Sequence, residues 1–206
     1  MNLKSKELIR LQSLSLEAKQ KQTMLRIKQW HDYYDGKIYV SFSGGKDSTV
    51  LLHQVRKLYK NTPAVFVDTR VEYPEVKTFV KTIDNVISIK PSLLFKDIIN
   101  KYGYPIISKE NSKKIYELRN TRSAYWRHSL LHGNRNGNSM LPKKWQFLEF
   151  APFNISEKCC YYLKKKPFLQ YEKQTKYMPI IGTMASDSSL RKTQWLRNGC
   201  NVFNTK

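Results

Sequence analysis

Residues 41–49 read SFSGGKDST, preceded by KIYV and followed by VLLHQV. Two adjacent glycines, a lysine, an aspartate and the hydroxyls of Ser43, Ser48 and Thr49 stand where an apolar strand hands over to a helix. That order suits an oxyanion. A parallel strand delivers its end to the carboxyl edge of the sheet, where ligands of open α/β sheets bind. Glycine accepts positive φ and has no Cβ, so Gly44 and Gly45 let a ligand close on their amides. The first turn of the following helix offers unpaired N–H groups and the positive end of its dipole. Lys46 adds a point charge, and Asp47 is placed to cap the helix. The loop lacks the Gly-x-x-x-x-Gly-Lys spacing of a Walker A motif. A short nest of this kind holds a smaller group, a pyrophosphate or a sulfate.

Periodicity indicates the elements that carry the loop. Leu8, Leu11, Met24, Ile27 and Trp30 recur near helical spacing, so 3–34 reads as one long helix or two short ones covering a sheet, ended by Asp35-Gly36. Residues 37–42 read as a buried strand and 49–59 as a helix with Val50, Leu51, Leu52, Val55 and Leu58 inward. Residues 64–69 form a second strand, 72–83 a helix with Pro74 in its first turn, 86–89 a third strand and 93–102 a helix stopped by Gly103 and Pro105. A fourth strand is expected at 178–183, with a helix over 188–197. The alternation predicts an α/β fold, one domain over 1–206. Its open parallel sheet has four or five strands, with helices on both faces, an N-terminal helical segment (1–36) and a basic insertion or lid (101–176).

Three segments, in this order, resemble a known family. SGGKDS resembles the PP-loop of the adenine nucleotide alpha-hydrolase superfamily, which includes ATP pyrophosphatases and sulfonucleotide reductases. VFVDTRVEYPEV (65–76) is similar to the corresponding segment of the phosphoadenosine-phosphosulfate (PAPS) reductase group. GTMASDSSLRKTQWLRNGCN (182–201) resembles a Gly-x-x-Ala-x-x-Ser-x-x-Arg segment of PAPS reductase-like proteins, many from phages and mobile elements. The resemblance implies that Ser43, Gly44, Gly45, Lys46, Asp47 and Ser48 hold the β,γ-phosphates of ATP or the anionic end of PAPS. It implies that Asp68 and Thr69 lie beside the adenosine and that Gly182, Ser188 and Arg191 complete the pocket. Lys46, Asp47 and Arg191 are the implied catalytic residues, with Mg²⁺ bridging the phosphates. Arg70 stands where the family has a small residue. With ATP, an acceptor oxygen attacks the α-phosphate and pyrophosphate leaves; with PAPS, a thiolate attacks sulfur. Authentic reductases carry a Glu-Cys-Gly tail. The present sequence ends GCNVFNTK, so PAPS reduction by this chain alone is not expected, and a naturally short or truncated chain is.

Iron–sulfur members of the superfamily pair a Cys-Cys with a distal Cys-x-x-Cys. Here Cys159-Cys160 is followed distally by Cys200 alone. Three thiolates can hold a [4Fe–4S] cluster with an open iron, and three inert thiols are the competing reading. His31, His53, His128 and His132 have no ligand spacing to the cysteines.

The chain has 206 residues, 40% hydrophobic and 13% aromatic, enough for a packed core. Its 37 Lys and Arg against 16 Asp and Glu give a net charge of +21, a field that attracts polyanions and anionic substrates. No stretch approaches the ~20 apolar residues of a membrane span. MNLKSKELIRLQ lacks the features of a signal peptide, and three cysteines are not a disulfide framework, so a cytoplasmic chain is expected. Residues 101–148 hold ten Lys or Arg and two Glu among many aromatics, and 132–139 (HGNRNGNS) is a polar loop. Lys109, Lys113, Lys114, Arg119, Arg122 and Arg127, interleaved with Tyr116, Tyr125 and Trp126, suit either a nucleic acid or a solvated helical face, and LKKKP (163–167) adds a basic cluster. Three readings follow. The first is a PAPS reductase-like enzyme that activates or transfers an adenylyl or sulfur group. The second is an ATP pyrophosphatase for thiolation or phosphorothioation of tRNA or DNA. The third is a non-catalytic nucleotide- or nucleic-acid-binding remnant.

Overall fold

The computed structural model describes residues 3–134 and 139–203. The helices are α1 (Leu3–Gln12), α2 (Leu16–Tyr33), α3 (Lys46–Leu58), α4 (Pro74–Lys81), α5 (Phe95–Tyr102), α6 (Lys109–Asn120), α7 (Ala124–His132), α8 (Lys166–Thr175) and α9 (Ser189–Asn198). The strands are β1 (Ile38–Phe42), β2 (Ala64–Val67), β3 (Val86–Ile89) and β4 (Met178–Ile181). By its contacts the chain divides into two compact units: residues 1–68, 72–89 and 170–206, and residues 69–71 and 90–169.

The first unit contains the sheet. Its order is β3-β2-β1-β4 and every pairing is parallel. Val40 pairs with Ala64 on one side and Ile180 on the other, which fixes the register of the central strand. β1 is buried on both faces, as a near-continuous apolar run requires. Val40 and Phe42 join Ile27 of α2, Leu52 and Val55 of α3, Ala64 and Phe66 of β2 and Val80 of α4 in one core cluster. Tyr39 points the other way, fully buried, with its ring 5.2 Å from that of Tyr171 and its hydroxyl donating to Glu172 Oε1 at 2.7 Å. The N-terminal segment is two helices, and Ser15 caps the second by accepting the Ala18 N–H.

Several boundaries differ from the sequence reading for local reasons. α3 begins at Lys46 rather than 49, because Gly45 occupies the cap position and the Ser48 and Thr49 hydroxyls fold back on its carbonyl at 2.9 and 3.0 Å. Asp47 is therefore not the cap. It stands in the first turn, where a carboxylate still complements the dipole. At 100° per residue the buried stripe through Leu52 and Val55 leaves Val50 on the outer face, 61% exposed. β2 ends at Val67, and α4 starts at Pro74, whose fixed φ suits a first helical position.

The second unit is helical. Its core is Ile115, Leu118, Leu130, Leu141, Leu148 and Ile155. The half-buried Arg119 lies beside it, its guanidinium donating to the carbonyls of Leu148, Ala151 and Phe153. Gly103 has φ +100, and a Cβ there would stand 2.3 Å from the Asn154 carbonyl, so the chain approaches itself too closely for another residue. A 3₁₀ stretch covers Lys143–Phe150 and a π-helical turn covers Tyr161–Lys165. The expected polar loop at 132–139 falls partly outside the described residues.

Candidate nucleotide site

β1 is followed in sequence by β2 and β3 on one side, and the chain returns to place β4 on its other side. The order reverses at β1, so the carboxyl ends of β1 and β4 mark the usual ligand position in such sheets. The SGGKDS loop leaves β1 at this point, and residues 182–188 leave β4.

The loop is braced by its own hydroxyls. Ser43 N–H donates to Ser48 Oγ at 3.2 Å, the two serine hydroxyls lie 3.1 Å apart, and Gly45 N–H donates to Ser43 Oγ at 3.3 Å. Ser48 is buried while Ser43, Gly45, Lys46 and Asp47 are exposed. Gly44 takes φ +73, and a Cβ on it would meet Val76 Cγ1 at 2.9 Å and Val80 Cγ2 at 3.1 Å. Only one of the two glycines uses positive φ; Gly45 has φ −84 and serves as the cap of α3. The first-turn amides of α3 face out beside this loop with no side-chain cap on them.

Gly182 closes on the loop from β4. A Cβ there would lie 3.2 Å from the Asp47 carbonyl oxygen, so the absence of a side chain allows the two segments to touch. Ser188 caps α9 by accepting the Arg191 N–H at 3.3 Å. Arg191 pairs with Asp187, Nε to Oδ2 at 3.7 Å, and Asp187 also accepts the Met184 N–H at 2.9 Å. Lys46 Nζ donates to Asp47 Oδ1 at 2.6 Å. That bond and the Asp47 charge, aided by the field of Asp187, hold the Lys46 ammonium above its ordinary pKa, so it remains a cation. From the other side of β1, Asp68 at the end of β2 pairs with Lys77 of α4 at 2.9 Å. Thr69 is buried, with Val71 N–H donating to its hydroxyl at 3.4 Å, and it groups with the second unit; Arg70 is exposed at φ +66.

Ser43 to Ser48, Asp68, Gly182, Ser188 and Arg191 thus all follow carboxyl ends of three adjacent strands. Sequence reasoning missed Asp187 and Lys77. Asp187 lies inside the segment quoted for Ser188 and Arg191. Lys77 could be found from its position one turn into a helix that follows Asp68.

Cys159 and Cys160 lie in the second unit and Cys200 in the first. Among the described residues no group of three or more His, Cys, Asp or Glu is arranged to hold a metal ion. Cys159 is half-buried, and that burial, with Cys160 beside it, raises its thiol pKa. Cys200 accepts the Trp195 Nε1–H at 3.2 Å. Nothing among the described residues supports the expected [4Fe–4S] cluster on Cys159, Cys160 and Cys200. No helix among the described residues is long and apolar enough to cross a membrane.

Comparison with known proteins gives a matching description of the chain. Residues 37–198 match the phosphoadenosine phosphosulfate reductase domain. An uncharacterized protein of Methanocaldococcus jannaschii is 30% identical over 97 residues, covering 44% of this chain and 24% of that protein. The matched region therefore spans about a quarter of that relative's length.

Proposed function

The chain belongs to the phosphoadenosine phosphosulfate reductase domain family, and on that premise we propose that it binds an adenine nucleotide, ATP or PAPS, by its anionic end between β1 and β4 and activates or transfers an adenylyl or sulfur group. One observation carries this reading: the loop after β1 is built around a glycine that no other residue can replace without strain, and it leads into the uncapped first turn of α3, whose first residue is Lys46. Such fixed donors stabilise charge that grows on a leaving group and need no rearrangement as it forms.

With ATP the step is displacement at the α-phosphate. An acceptor oxygen forms a new bond to phosphorus, the bond to the β-phosphate oxygen breaks, and pyrophosphate leaves with the electron pair. The loop amides and Lys46 take up that charge, and Arg191, released from Asp187, offers a planar fork to a phosphate. Asp47 is bonded to Lys46, and the charge of Asp187 also acts on it; Asp47 or Asp187 would hold Mg²⁺, which takes one or two carboxylates and otherwise phosphate oxygens and water. When bound, Mg²⁺ neutralises phosphate charge. Asp68, paired with Lys77, would contact the adenosine.

The test is calorimetric titration of the full chain with Mg·ATP and with PAPS, beside Lys46→Ala. Loss of one charge-assisted hydrogen bond is worth about 1.5–3 kcal/mol, so the variant should bind about 10- to 150-fold more weakly. A preference for ATP assigns the adenylyl chemistry and a preference for PAPS the sulfur chemistry. Absence of binding by either nucleotide to the unaltered chain refutes the proposal.

A further inference from the structure

The second unit holds a cavity of about 350 Å³ lined by Lys109, Glu157, Lys158, Tyr161, Tyr162 and Lys165, within the ~300–1,000 Å³ of small-ligand sites. Its chemistry is specific. Lys109 and Lys165 are exposed cations on its wall. Lys158 is held between rings, its Nζ 5.2 Å from the centre of Tyr102 and 5.1 Å from that of Tyr116. Tyr162 is already occupied: it stacks on Tyr102 at 4.7 Å and 14°, accepts the Tyr102 hydroxyl at 2.6 Å, and lies under Lys166 at 5.4 Å. Tyr161 is different. It meets Tyr162 edge-on at 84° and is 45% exposed, which leaves a ring face to stack on. Glu157 Oε2 is buried with no hydrogen-bond partner among the described residues. A buried carboxylate oxygen without a donor is costly, and the Glu157 carboxylate, which lines the cavity, is the acceptor offered there to a ligand N–H.

The backbone supports a built site. Tyr161, Tyr162 and Lys165 share the π-helical turn, while Leu163 of the same turn is 5% exposed and anchors it. Wide turns of this type concentrate at functional sites. The surrounding charge extends past the cavity. This unit has 17 Lys and Arg against 5 Asp and Glu, so it holds more than half of the whole chain's cationic excess. Lys164 and Lys166 flank the lining residues directly.

We propose that this cavity is a binding site for one nucleotide unit of a single-stranded nucleic acid. The base stacks on Tyr161 and donates its amino N–H to Glu157, and Lys109, Lys158 and Lys165 take adjoining phosphates. A paired base has both faces stacked and its amino group in use, so a duplex does not satisfy these groups. A free mononucleotide shares the base chemistry but not the flanking phosphates, for which the cations beyond the cavity are placed. The inference does not depend on the nucleotide held after β1.

The test is fluorescence polarisation of the full chain with labelled single-stranded oligodeoxycytidylate and oligothymidylate over a range of salt, with CMP as competitor. Cytosine has the amino group and thymine lacks it, so the cytidylate should bind about fivefold or more tightly, and Glu157→Gln should narrow that difference. Tyr161→Ala should weaken both strands about 5- to 150-fold, while Tyr161→Phe, which keeps the ring, should retain binding and so separates lost stacking from lost folding. Removing Lys109 and Lys165 together should flatten the salt dependence by about 0.7 for each phosphate left unneutralised. Lys46→Ala should leave every one of these readings unchanged, which separates this site from the loop after β1. Strand binding that survives Tyr161→Ala and the double lysine variant overturns the proposal. CMP competing at the same concentration as the strand, or equal binding of a duplex, overturns it too.

Discussion

Replacing Gly44 with alanine tests whether the loop after β1 is as constrained as its geometry indicates. The backbone there has φ +73, a left-handed conformation that costs a residue with a Cβ about 1–2 kcal/mol. The new methyl would also arrive 2.9 Å from Val76 Cγ1 and 3.1 Å from Val80 Cγ2. Val80 is a buried member of the core cluster and Val76 packs against it, so neither rotates away freely, and overpacking of this kind costs about 1–3 kcal/mol. The two contributions are independent in origin and give about 2–5 kcal/mol. The readout is the urea midpoint followed by circular dichroism, with Mg·ATP titration of the folded fraction. Gly182→Ala is the matched control. Its φ lies outside the left-handed region, and the added Cβ would stand 3.2 Å from the Asp47 carbonyl oxygen. A shift of a few tenths of an ångström relieves it, so stability should fall by only about 1 kcal/mol. That shift moves the first turn of α3, and nucleotide affinity should fall more than stability does. If Gly44→Ala unfolds within about 0.5 kcal/mol of the unaltered chain, the loop relaxes easily and is not a rigid anion cradle.

Three further outcomes follow from buried polar groups. Tyr39→Phe removes the donor to Glu172 Oε1 and should cost about 1.5–3 kcal/mol in urea denaturation, the worth of a hydrogen bond to a charged group; a loss below about 0.5 kcal/mol would mean that water replaces the phenol. Burial, first, and then the Glu172 bond hold the Tyr39 phenol protonated far above its ordinary 10.0. Above pH ~10 the unfolded chain releases this proton and the folded chain keeps it, so stability falls by up to about 1.4 kcal/mol per pH unit for that group. Tyr39→Phe should make the alkaline fall of the urea midpoint shallower, and an unchanged slope would contradict the assignment. Arg119→Lys keeps the charge but loses the fork that reaches the carbonyls of Leu148, Ala151 and Phe153. It should destabilise the chain by about 3 kcal/mol or more, read from tryptophan fluorescence through Trp126 and Trp145, which pack on that core; a tolerated lysine would show that the carbonyls find other donors.

Most of the sheet was legible because it depends on local signals. Apolar runs of strand length separated by amphipathic helices give β1 to β4 within two residues of their observed ends. A fully buried parallel strand carries no competing pattern. The cap of α3 was not legible in the same way. Asp47 and Gly45 are both acceptable caps by residue type, and the choice is made by Ser48 and Thr49 folding back on the Gly45 carbonyl, a three-dimensional detail. The exposure of Val50 has another cause, the helical phase set by the buried Ser48, Leu52 and Val55, which leaves it on the outer face. The placement of the expected site residues after the ends of adjacent strands was legible from their order along the chain. Their company was not: Asp187 acts on Lys46, and Lys77 on Asp68, through charge brought together by the sheet.

In the basic middle many cations already have partners. Of the six residues that suit either a polyanion or a solvated helical face, Arg119 is engaged by backbone carbonyls, Arg127 by Glu149 and the Leu118 carbonyl, Lys114 by Glu110 and the Met140 carbonyl, and Lys113 by Glu117. The reason is geometric. Helix-borne cations have carboxylates and carbonyls within reach one turn away, and a small helical unit with long connections has many backbone oxygens to satisfy. Lysines on an irregular turn have fewer such partners nearby. Cations available to a ligand should therefore be sought where the helix periodicity breaks, and the turn at Tyr161–Lys165, where Lys165 joins Lys109 and Lys158 around an exposed tyrosine and a carboxylate oxygen in want of a donor, meets that condition.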